Sequence, residues 1–493
     1  MTGALPAELA RWADTIRGYA EEFGLDFPEV RFHLLDWKGI NEVASYGGFP
    51  TRYPHWSFGM EYERMSKSYA YGLHRIYEMV INTDPCHAYL LASNNTIDQK
   101  LVMAHVYGHA DFFKNNLWFA HTNRKMLDEM ANHASRIHRY IERYGFDRVE
   151  ALLDVGLSLD NLIDLHSPGI RRRPAPVNGN AERPTARRIP AKEYMDRFVN
   201  PPDFLHEQQQ RLDSEQQQAR HFPASPERDV LLFLIEAAPL ETWEADVLDM
   251  LREEAYYFAP QGQTKILNEG WASYWHSSIM TRRVLTDAEI IDYADHHAGT
   301  VATQPGRLNP YKLGLELLRD IEERWDKGRF GREYDACEDR ARKVRWDLGL
   351  GLGWRKVFEV RRACNDIGFI DEYLTEEFCE RHKMFTYRWN PRTERHEIAS
   401  RDFPAIKAQL LQSLTNFGQP FISVEDGNYA NRGELLLRHA HEGVDLRLDY
   451  ARDTLANVHA LWRRPVHLET VVENKGPTLM SFDGQSHTSR RVE

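Results

Sequence analysis

Two histidines four residues apart are the first feature of this sequence that could do chemistry. His105 and His109 lie in the stretch LVMAHVYGHADFFKNN, residues 101–116, which otherwise has the composition of a buried helix. Side chains one helical turn apart share a face, and two imidazoles placed this way can converge on a metal ion about 2 Å from each ring nitrogen. Buried histidines are also often bonded only to backbone groups. The motif alone therefore fits either a metal site or a pair of core histidines.

A second stretch offers further ligands. In ILNEGWASYWH, residues 266–276, the side chains of Glu269, Ser273 and His276 fall on one helical face. The stretch resembles the NEGFA helix of gluzincin metallopeptidases, whose glutamate completes a zinc site begun by an HExxH motif. The resemblance implies zinc or another divalent metal as the cofactor. Asn268 and Glu269 could instead, or in addition, cap the start of a helix, where the helix dipole favours a carboxylate. The predicted metal ligands are His105, His109, Glu269 and His276.

The sequence departs from the gluzincin pattern at the general base. Val106 follows the first histidine, where those peptidases carry the glutamate that activates water. Losing such a base lowers the rate of hydrolysis by about 10²–10⁴. Glu254 is the predicted substitute, as catalytic base or supporting residue, because it continues a helical apolar stripe and should be buried. A buried carboxylate needs a cation, an arginine partner or a raised pKa. The stripe consists of Trp243, Val247, Leu251 and Phe258.

Helices must position these residues, and the periodicity of apolar residues predicts where they lie. Recurrence every three or four positions is typical of a helix with one buried face. The fold class predicted is α+β, with a mainly helical body that contains the gluzincin-like pair of HxxxH and NEGWA helices. His133 continues an apolar stripe and is predicted to be a core histidine. The predicted helices cover residues 6–22, 58–80, 96–113, 121–143, 227–236, 242–258, 264–280 and 309–326.

Two changes of composition divide the chain. Residues 170–192 are rich in Arg and Pro and have no hydrophobic period, which predicts either a solvated linker or a docking segment for an acidic partner. From about residue 415 short alternating runs separated by Asp-Gly and Arg-Gly predict a small β-rich domain. The predicted regions are an N-terminal helical region, a linker, a second helical region and the β-rich domain, at residues 1–169, 170–192, 193–414 and 415–493.

Composition limits the classes of function. A net charge of −12 argues against general affinity for nucleic acid or for an anionic membrane surface. The four cysteines are widely spaced and form no CxxC pair, so neither a disulfide framework nor a thiolate zinc site is expected. The first twenty residues lack the pattern of a signal peptide, and no apolar run has the length of a membrane span. We therefore expect a cytoplasmic protein without membrane insertion.

Several long strings, taken together in this order, resemble the SpoVR family, named for stage V sporulation protein R. The resemblance implies a role in spore cortex formation or, more generally, in stress or stationary phase. It also implies partnership with a PrkA-type serine protein kinase and with a von Willebrand factor A-like protein. The strings are YGGFPTRYPHWSFG, YEMVINTDPCHAYLL, AHVYGHADFFKNN, LNEGWASYWH and FEVRRACNDIGFIDEYLT.

Two functions follow from the sequence. In the first, the chain is a metal-dependent hydrolase of an amide or peptide-like bond, in which the metal polarises the carbonyl and acidifies its water. In the second, it is a non-enzymatic adaptor or regulator that acts with the kinase, and its histidines are structural. Val106 favours the second function, whereas the cost of burying a charged cluster without a role favours the first.

Overall fold

The computed structural model describes residues 5–70, 78–170, 188–190, 195–218, 222–300, 302, 308–473 and 475–492. These residues form an α+β protein. The helices in chain order are α1 (Ala7–Glu22), α2 (Trp37–Ser45), α3 (Trp56–Ala70), α4 (Thr96–Asn115), α5 (Met126–Tyr144), α6 (Phe146–Ser158), α7 (Asp196–Val199), α8 (Pro202–Gln218), α9 (Val230–Ala237), α10 (Thr242–Gln263), α11 (Lys265–Ile279), α12 (Ile290–Thr300), α13 (Pro310–Lys327), α14 (Arg332–Asp335), α15 (Arg340–Val344), α16 (Gly353–Ala363), α17 (Asp366–Tyr373), α18 (Glu376–Arg381), α19 (Phe403–Leu414) and α20 (Leu448–Trp462). The strands are β1 (Val30–Leu35), β2 (Glu78–Ile81), β3 (Cys86–Leu91), β4 (Thr386–Asn390), β5 (Arg395–Ser400), β6 (Phe421–Tyr429), β7 (Glu434–Ala440), β8 (Val466–Val472), β9 (Gly476–Phe482) and β10 (His487–Arg491).

The chain divides into two compact units, and each is discontinuous in sequence. The first comprises residues 1–146 and 256–418, and the second comprises residues 147–255 and 419–493. These units do not follow the predicted boundaries at residues 169 and 192, because composition reports linkers but not which distant segments pack together. The predicted linker lies mostly outside the described residues. The predicted start of the β-rich region, about residue 415, falls close to the observed division after residue 418.

The first unit is built around helices that cross in its core. α4 packs against α1, α11 and α16, and α11 also packs against α13. A three-stranded sheet joins this unit, with β3 in the middle, parallel to β1 and antiparallel to β2. The indoles of Trp271 and Trp275 are completely buried in the core. Burial of large aromatic side chains is a main source of stability for such a core.

Two close approaches in this core require glycine. A Cβ atom on Gly108 of α4 would lie 2.7 Å from Cα of Ala272 in α11. A Cβ atom on Gly270 of α11 would lie 2.4 Å from the backbone of Gly314 in α13. Both distances are shorter than carbon atoms can approach without a shift of the backbone. The missing side chains therefore let α11 lie directly against both neighbouring helices.

The second unit contains a five-stranded sheet in the order β10-β9-β8-β7-β6. Neighbouring strands are antiparallel except for β7 and β8, which are parallel and are joined through α20. A parallel pair needs a crossover connection of this kind. α20 packs on β8 and β9, and Leu455 and Val458 are buried on that helix. The prediction of a small β-rich region after about residue 415 is confirmed.

Most helices occur where periodicity predicted them, with three corrections in the N-terminal part. The predicted helix 58–80 ends earlier: α3 stops at Ala70, and Val80 lies in β2. None of the α3 side chains whose burial is described is buried, so the buried face that the apolar period predicted for this helix is not observed among them. Strands β1 to β3 were not predicted, because runs such as CHAYLL are buried at every position but one and lack the alternation that marks a half-exposed strand.

Candidate metal centre

The histidine pair lies in the middle of α4, and both ends of this helix carry residues that stabilise helix ends. Asn95 caps its start by accepting a hydrogen bond from the backbone N–H of Asp98 at 2.8 Å. Lys114 lies in the last turn, where a cation is favoured by the helix dipole. His105 and His109 are 3% and 5% exposed, so both imidazoles point into the protein. Their ring centroids are 4.6 Å apart.

α11 carries the second half of the site, and its start is capped from another helix. The carboxylate of Asp366 accepts hydrogen bonds from the backbone N–H groups of Ile266 and Leu267, both at 2.8 Å. Burial raises the pKa of Asp366 to about 7, although these two N–H donors act in the opposite direction. The carboxylate of Glu269 is turned toward the histidines of α4. The alternative in which Glu269 caps its own helix is therefore not observed.

His105, His109 and Glu269 converge. Oε2 of Glu269 lies 3.5 Å from Nε2 of His105 and 3.4 Å from Nε2 of His109. One ligand atom from each of the three residues lies within 4.8 Å of the other two. Two ligands held about 2.0–2.1 Å from a tetrahedral zinc ion are about 3.3 Å apart, so the observed separations fit a shared metal better than direct hydrogen bonds.

The buried carboxylate atom at the centre of this group supports the same interpretation. Oε2 of Glu269 accepts no hydrogen bond from the described residues. A buried carboxylate oxygen without a donor is costly unless a cation supplies the missing interaction. The residues present therefore fit a divalent cation.

Each histidine has a partner at its other ring nitrogen. Nδ1 of His109 lies 2.9 Å from the side-chain oxygen of Asn268, which can only accept a hydrogen bond. The hydrogen-bond network therefore assigns the proton to Nδ1 and leaves the lone pair of Nε2 on the side of Glu269. This tautomer is the one that can bind a metal through Nε2. Metal-binding histidines are commonly oriented by such a partner.

His276 is placed behind His105 rather than in the three-residue cluster. Nδ1 of His276 lies 2.9 Å from Nδ1 of His105, so the ring meets the edge of His105 away from Glu269. On its far side, Nε2 of His276 is 3.3 Å from Nδ1 of His297 in α12. Burial, with smaller effects from His105 and His297, holds the pKa of His276 well below its ordinary value. A neutral His276 can orient the ring of His105.

The other predicted residues are not members of the three-residue cluster. Glu254 is buried at 4% exposure, as periodicity predicted, and belongs to the second compact unit. Its role as a proton acceptor stays a prediction. Ser273 is completely buried on α11, and its hydroxyl has no hydrogen-bond partner among the described residues. His133 is 1% exposed, which confirms its assignment as a core histidine. Val106 is completely buried in the hydrophobic core.

Three supporting residues were not predicted in the roles they have. His297 and Asp366 come from segments distant in sequence, and no local pattern indicates that they meet α11. Asn268 was considered only as a helix cap. Its contact with Nδ1 of His109 depends on how α11 packs on α4, which the sequence pattern did not indicate.

A further buried ion pair fixes α11 on α4. Nε1 of Trp271 donates a hydrogen bond to Oδ2 of Asp111 at 2.8 Å, and Nε of Arg361 lies 3.4 Å from the same oxygen. Oδ1 of Asp111 accepts the backbone N–H of Asp26 at 2.8 Å. Burial raises the pKa of Asp111 to about 6 despite the neighbouring guanidinium. Asp111 is thus bonded to several elements and holds the tryptophan that is two residues beyond Glu269.

Comparison with known proteins identifies the family that the sequence resembles, and the match covers nearly the whole chain. The sequence profile described as SpoVR like protein matches residues 4–419, and that of the SpoVR-like C-terminal domain matches residues 420–473. The chain belongs to the SpoVR family. The boundary between the two SpoVR matches coincides within about a residue with the structural division after residue 418.

One relative in this family is described only as an uncharacterized protein, YcgB of Escherichia coli (strain K12). It is 29% identical over 479 residues, which cover 91% of this chain and 89% of YcgB. No solved structure matches the chain. Within the described part of the chain, every helix is too short or too polar to span a bilayer.

Proposed function

We propose that this member of the SpoVR family is a metal-dependent hydrolase that acts on an amide or peptide-like bond, in a cell-wall, sporulation or stress process. The observation that carries the proposal is the convergence of His105, His109 and Glu269 around one buried point. His105 and His109 come from one helix and Glu269 from another, as in the gluzincin arrangement that the sequence resembles. Zinc or a similar divalent ion is the proposed cofactor.

The roles of the side chains follow from their positions. His105 and His109 would hold the metal through Nε2, and Glu269 through Oε2. Asn268 and His276 would fix the orientation of the two rings from their Nδ1 sides. When bound, the metal supplies polarisation of a carbonyl and acidification of a water molecule. With two neutral imidazoles and one carboxylate, the site would keep a net positive charge on the metal, which suits such chemistry.

The first test measures metal content. Wild-type protein purified from zinc-replete cells should contain about one equivalent of a divalent metal per chain. The His105→Ala/His109→Ala double variant should lose it, and His121→Ala, which removes an exposed histidine of the same unit, should keep it. A folded wild type without metal under these conditions would contradict the metal centre.

The second test separates metal binding from hydrolysis. The metal-loaded chain is assayed against a panel of peptide and N-acyl amide substrates, with Glu269→Gln as the inactive control. The prediction for Glu254 is tested in the same assay, because replacing a general base with Gln should lower kcat by about 10²–10⁴ while metal content stays unchanged. A chain that binds metal but hydrolyses no member of the panel would contradict the hydrolase and leave the metal centre intact.

One observation favours a different function. Val106 occupies the position where a hydrolase of this type would carry its base, and it is completely buried among apolar side chains. We therefore propose as the alternative a non-enzymatic adaptor that acts with a PrkA-type serine kinase and a von Willebrand A-like protein. Under this alternative, a chain ending at residue 418 should fail to co-purify with the kinase, whereas His105→Ala should co-purify as the wild type does.

A further inference from the structure

A cavity separate from the histidine cluster lies within the first compact unit. It has a volume of about 680 Å³, which is in the range of sites for small organic ligands. One wall is the first half of α13, with Lys312, Leu313 and Glu316. One face of α19 also lines the cavity. The lining residues of α19 are Ile406, Gln409, Leu410 and Ser413.

Part of the cavity lining is apolar. Phe378, Met384 and Phe385, from α18 and the segment that follows it, contribute to the lining. Leu313 and Phe378 belong to the hydrophobic core behind the cavity. The apolar part of such a lining can bind a ligand by burying the ligand's own apolar part.

The charged groups at the cavity are mainly cationic. Lys312, Arg381 and Lys383 line it, and Glu316 is the single carboxylate among the described lining residues. Glu316 forms an ion pair with Arg319 at 3.1 Å, so its charge is already partly compensated. The cavity is positive although the chain as a whole has a net charge of −12. A local field of the opposite sign from the rest of the protein selects for anions.

The three cations differ in how much of their charge is available. Arg381 lies 3.2 Å from the buried carboxylate of Asp320, which Arg324 also contacts at 2.7 Å. Two guanidinium groups therefore share one carboxylate. Lys312 has no ion-pair partner among the described residues, and its backbone N–H is held at 3.3 Å by the side chain of Asn309 at the start of α13. Lys312 therefore brings an ammonium group without a carboxylate partner among the described residues to the lining of the cavity.

We propose that this cavity binds an amphipathic organic anion, a carboxylate with an extended apolar chain, whose head is held by Lys312 and Lys383. The apolar chain lies against Phe378 and Phe385. The same helix that supplies Lys312 also places the ring of Tyr311 6.2 Å from the ring of His105. The inference does not depend on the metal centre, because the cavity shares no residue with the cluster.

The experiment is a calorimetric titration of the full chain with decanoate. Decanol and decyltrimethylammonium, which have the same chain length but a neutral or cationic head, are the matched probes. Decanoate should bind with one site per chain, and the other two should bind at least about tenfold more weakly, since a charge-assisted hydrogen bond is lost. Equal affinity for all three probes would show hydrophobic binding that does not depend on the charge of the head group, and it would overturn the proposal.

Variants locate the binding. Lys312→Gln and Lys383→Gln should each weaken decanoate binding about tenfold, whereas Lys125→Gln, an exposed lysine of the same unit, should leave it unchanged. Glu316→Gln should have the opposite effect and tighten binding about two- to fivefold, because it removes the repelling charge. Leu410→Trp should abolish binding by filling the cavity.

The folded state of each variant is checked by its circular dichroism spectrum and melting temperature. Because Lys383 is exposed, its replacement tests the site even if Lys312→Gln is unstable. His105→Ala should bind decanoate as the wild type does, which separates this cavity from the metal centre. Decanoate binding that is insensitive to Lys312, Lys383 and Leu410 would place the ligand elsewhere and refute the assignment.

Discussion

The side-chain oxygen of Asn268 lies 2.9 Å from Nδ1 of His109, while Oε2 of the next residue, Glu269, lies 3.4 Å from Nε2 of the same ring. Two consecutive residues of α11 therefore contact the two nitrogens of one imidazole of α4. One contact fixes the tautomer, and the other faces the lone pair. This arrangement is what a metal-binding histidine requires of its surroundings.

The first prediction concerns Asn268. Asn268→Ala removes the acceptor that holds the Nδ1 proton of His109, so metal affinity should fall by about 10- to 100-fold without loss of the fold. Competition with a chromophoric chelator measures the affinity. Asn268→Asp keeps an acceptor in the same place and should retain most of the affinity. Equal, unchanged affinity in both variants would mean that Asn268 does not orient the ring.

The second prediction concerns His276. His276→Ala leaves the three converging residues in place but removes the ring that contacts Nδ1 of His105. The variant should still bind one metal per chain, with an affinity reduced by about 10-fold or more. His105→Ala should reduce the affinity much further, because it removes a donor atom. If both variants lost metal completely and equally, His276 would be a ligand, as the sequence suggested, and the placement described above would be revised.

The third prediction concerns the contact between α4 and α11. Gly108→Ala places a methyl group 2.7 Å from Cα of Ala272, which forces the helices apart and should lower the free energy of unfolding by about 1–3 kcal/mol. Metal affinity should also fall, because the two halves of the site lie on these helices. Gly59→Ala in α3 is the matched control, since its added Cβ meets nothing within 4 Å.

Gly59→Ala should be neutral or should stabilise the protein by up to about 1 kcal/mol, because alanine is the better helix former. Urea unfolding of the metal-free proteins compares the two variants. A Gly108→Ala variant as stable as Gly59→Ala would show that α4 and α11 can accommodate a methyl group at their crossing point.

The fourth prediction concerns the pH dependence of stability. The pKa of Asp366 is raised from 3.8 to about 7 in the folded state, so the folded protein binds a proton that the unfolded chain has released between these values. The stability contributed by this group is complete below about pH 4 and is lost as the pH rises through 7. Asp366→Asn lacks this titration but also loses one of the two hydrogen bonds to α11.

The variant should therefore be less stable than the wild type at pH 5, and this difference should shrink by about 2–3 kcal/mol at pH 8. Urea unfolding of the metal-free proteins at both values measures it. A difference that grows with pH would mean that the two backbone N–H donors keep Asp366 ionised in the folded state. Folding would then lower the pKa of Asp366 instead of raising it.

Much of the fold could be predicted from local pattern. The period of apolar residues indicated α1, α4, α10, α11 and α13 to within a few residues, because each of these helices buries one continuous face or more. The alternation after residue 415 indicated the C-terminal sheet. Prediction failed at β3 because this strand is buried along most of its length and shows no alternation. It failed at α3 because the apolar period there does not correspond to a buried face among the residues whose burial is described.

The sequence by itself determined which residues could share a helix face: His105 with His109 on α4, and Glu269 with His276 on α11. That much follows from 3.6 residues per turn. Only the tertiary structure decided that Glu269 meets the Nε2 atoms while His276 lies behind His105. This outcome depends on the rotation of α11 against α4, which is set by the contact at Gly108 and by the cap from Asp366. Packing between helices distant in sequence fixes that rotation, and no local period encodes it.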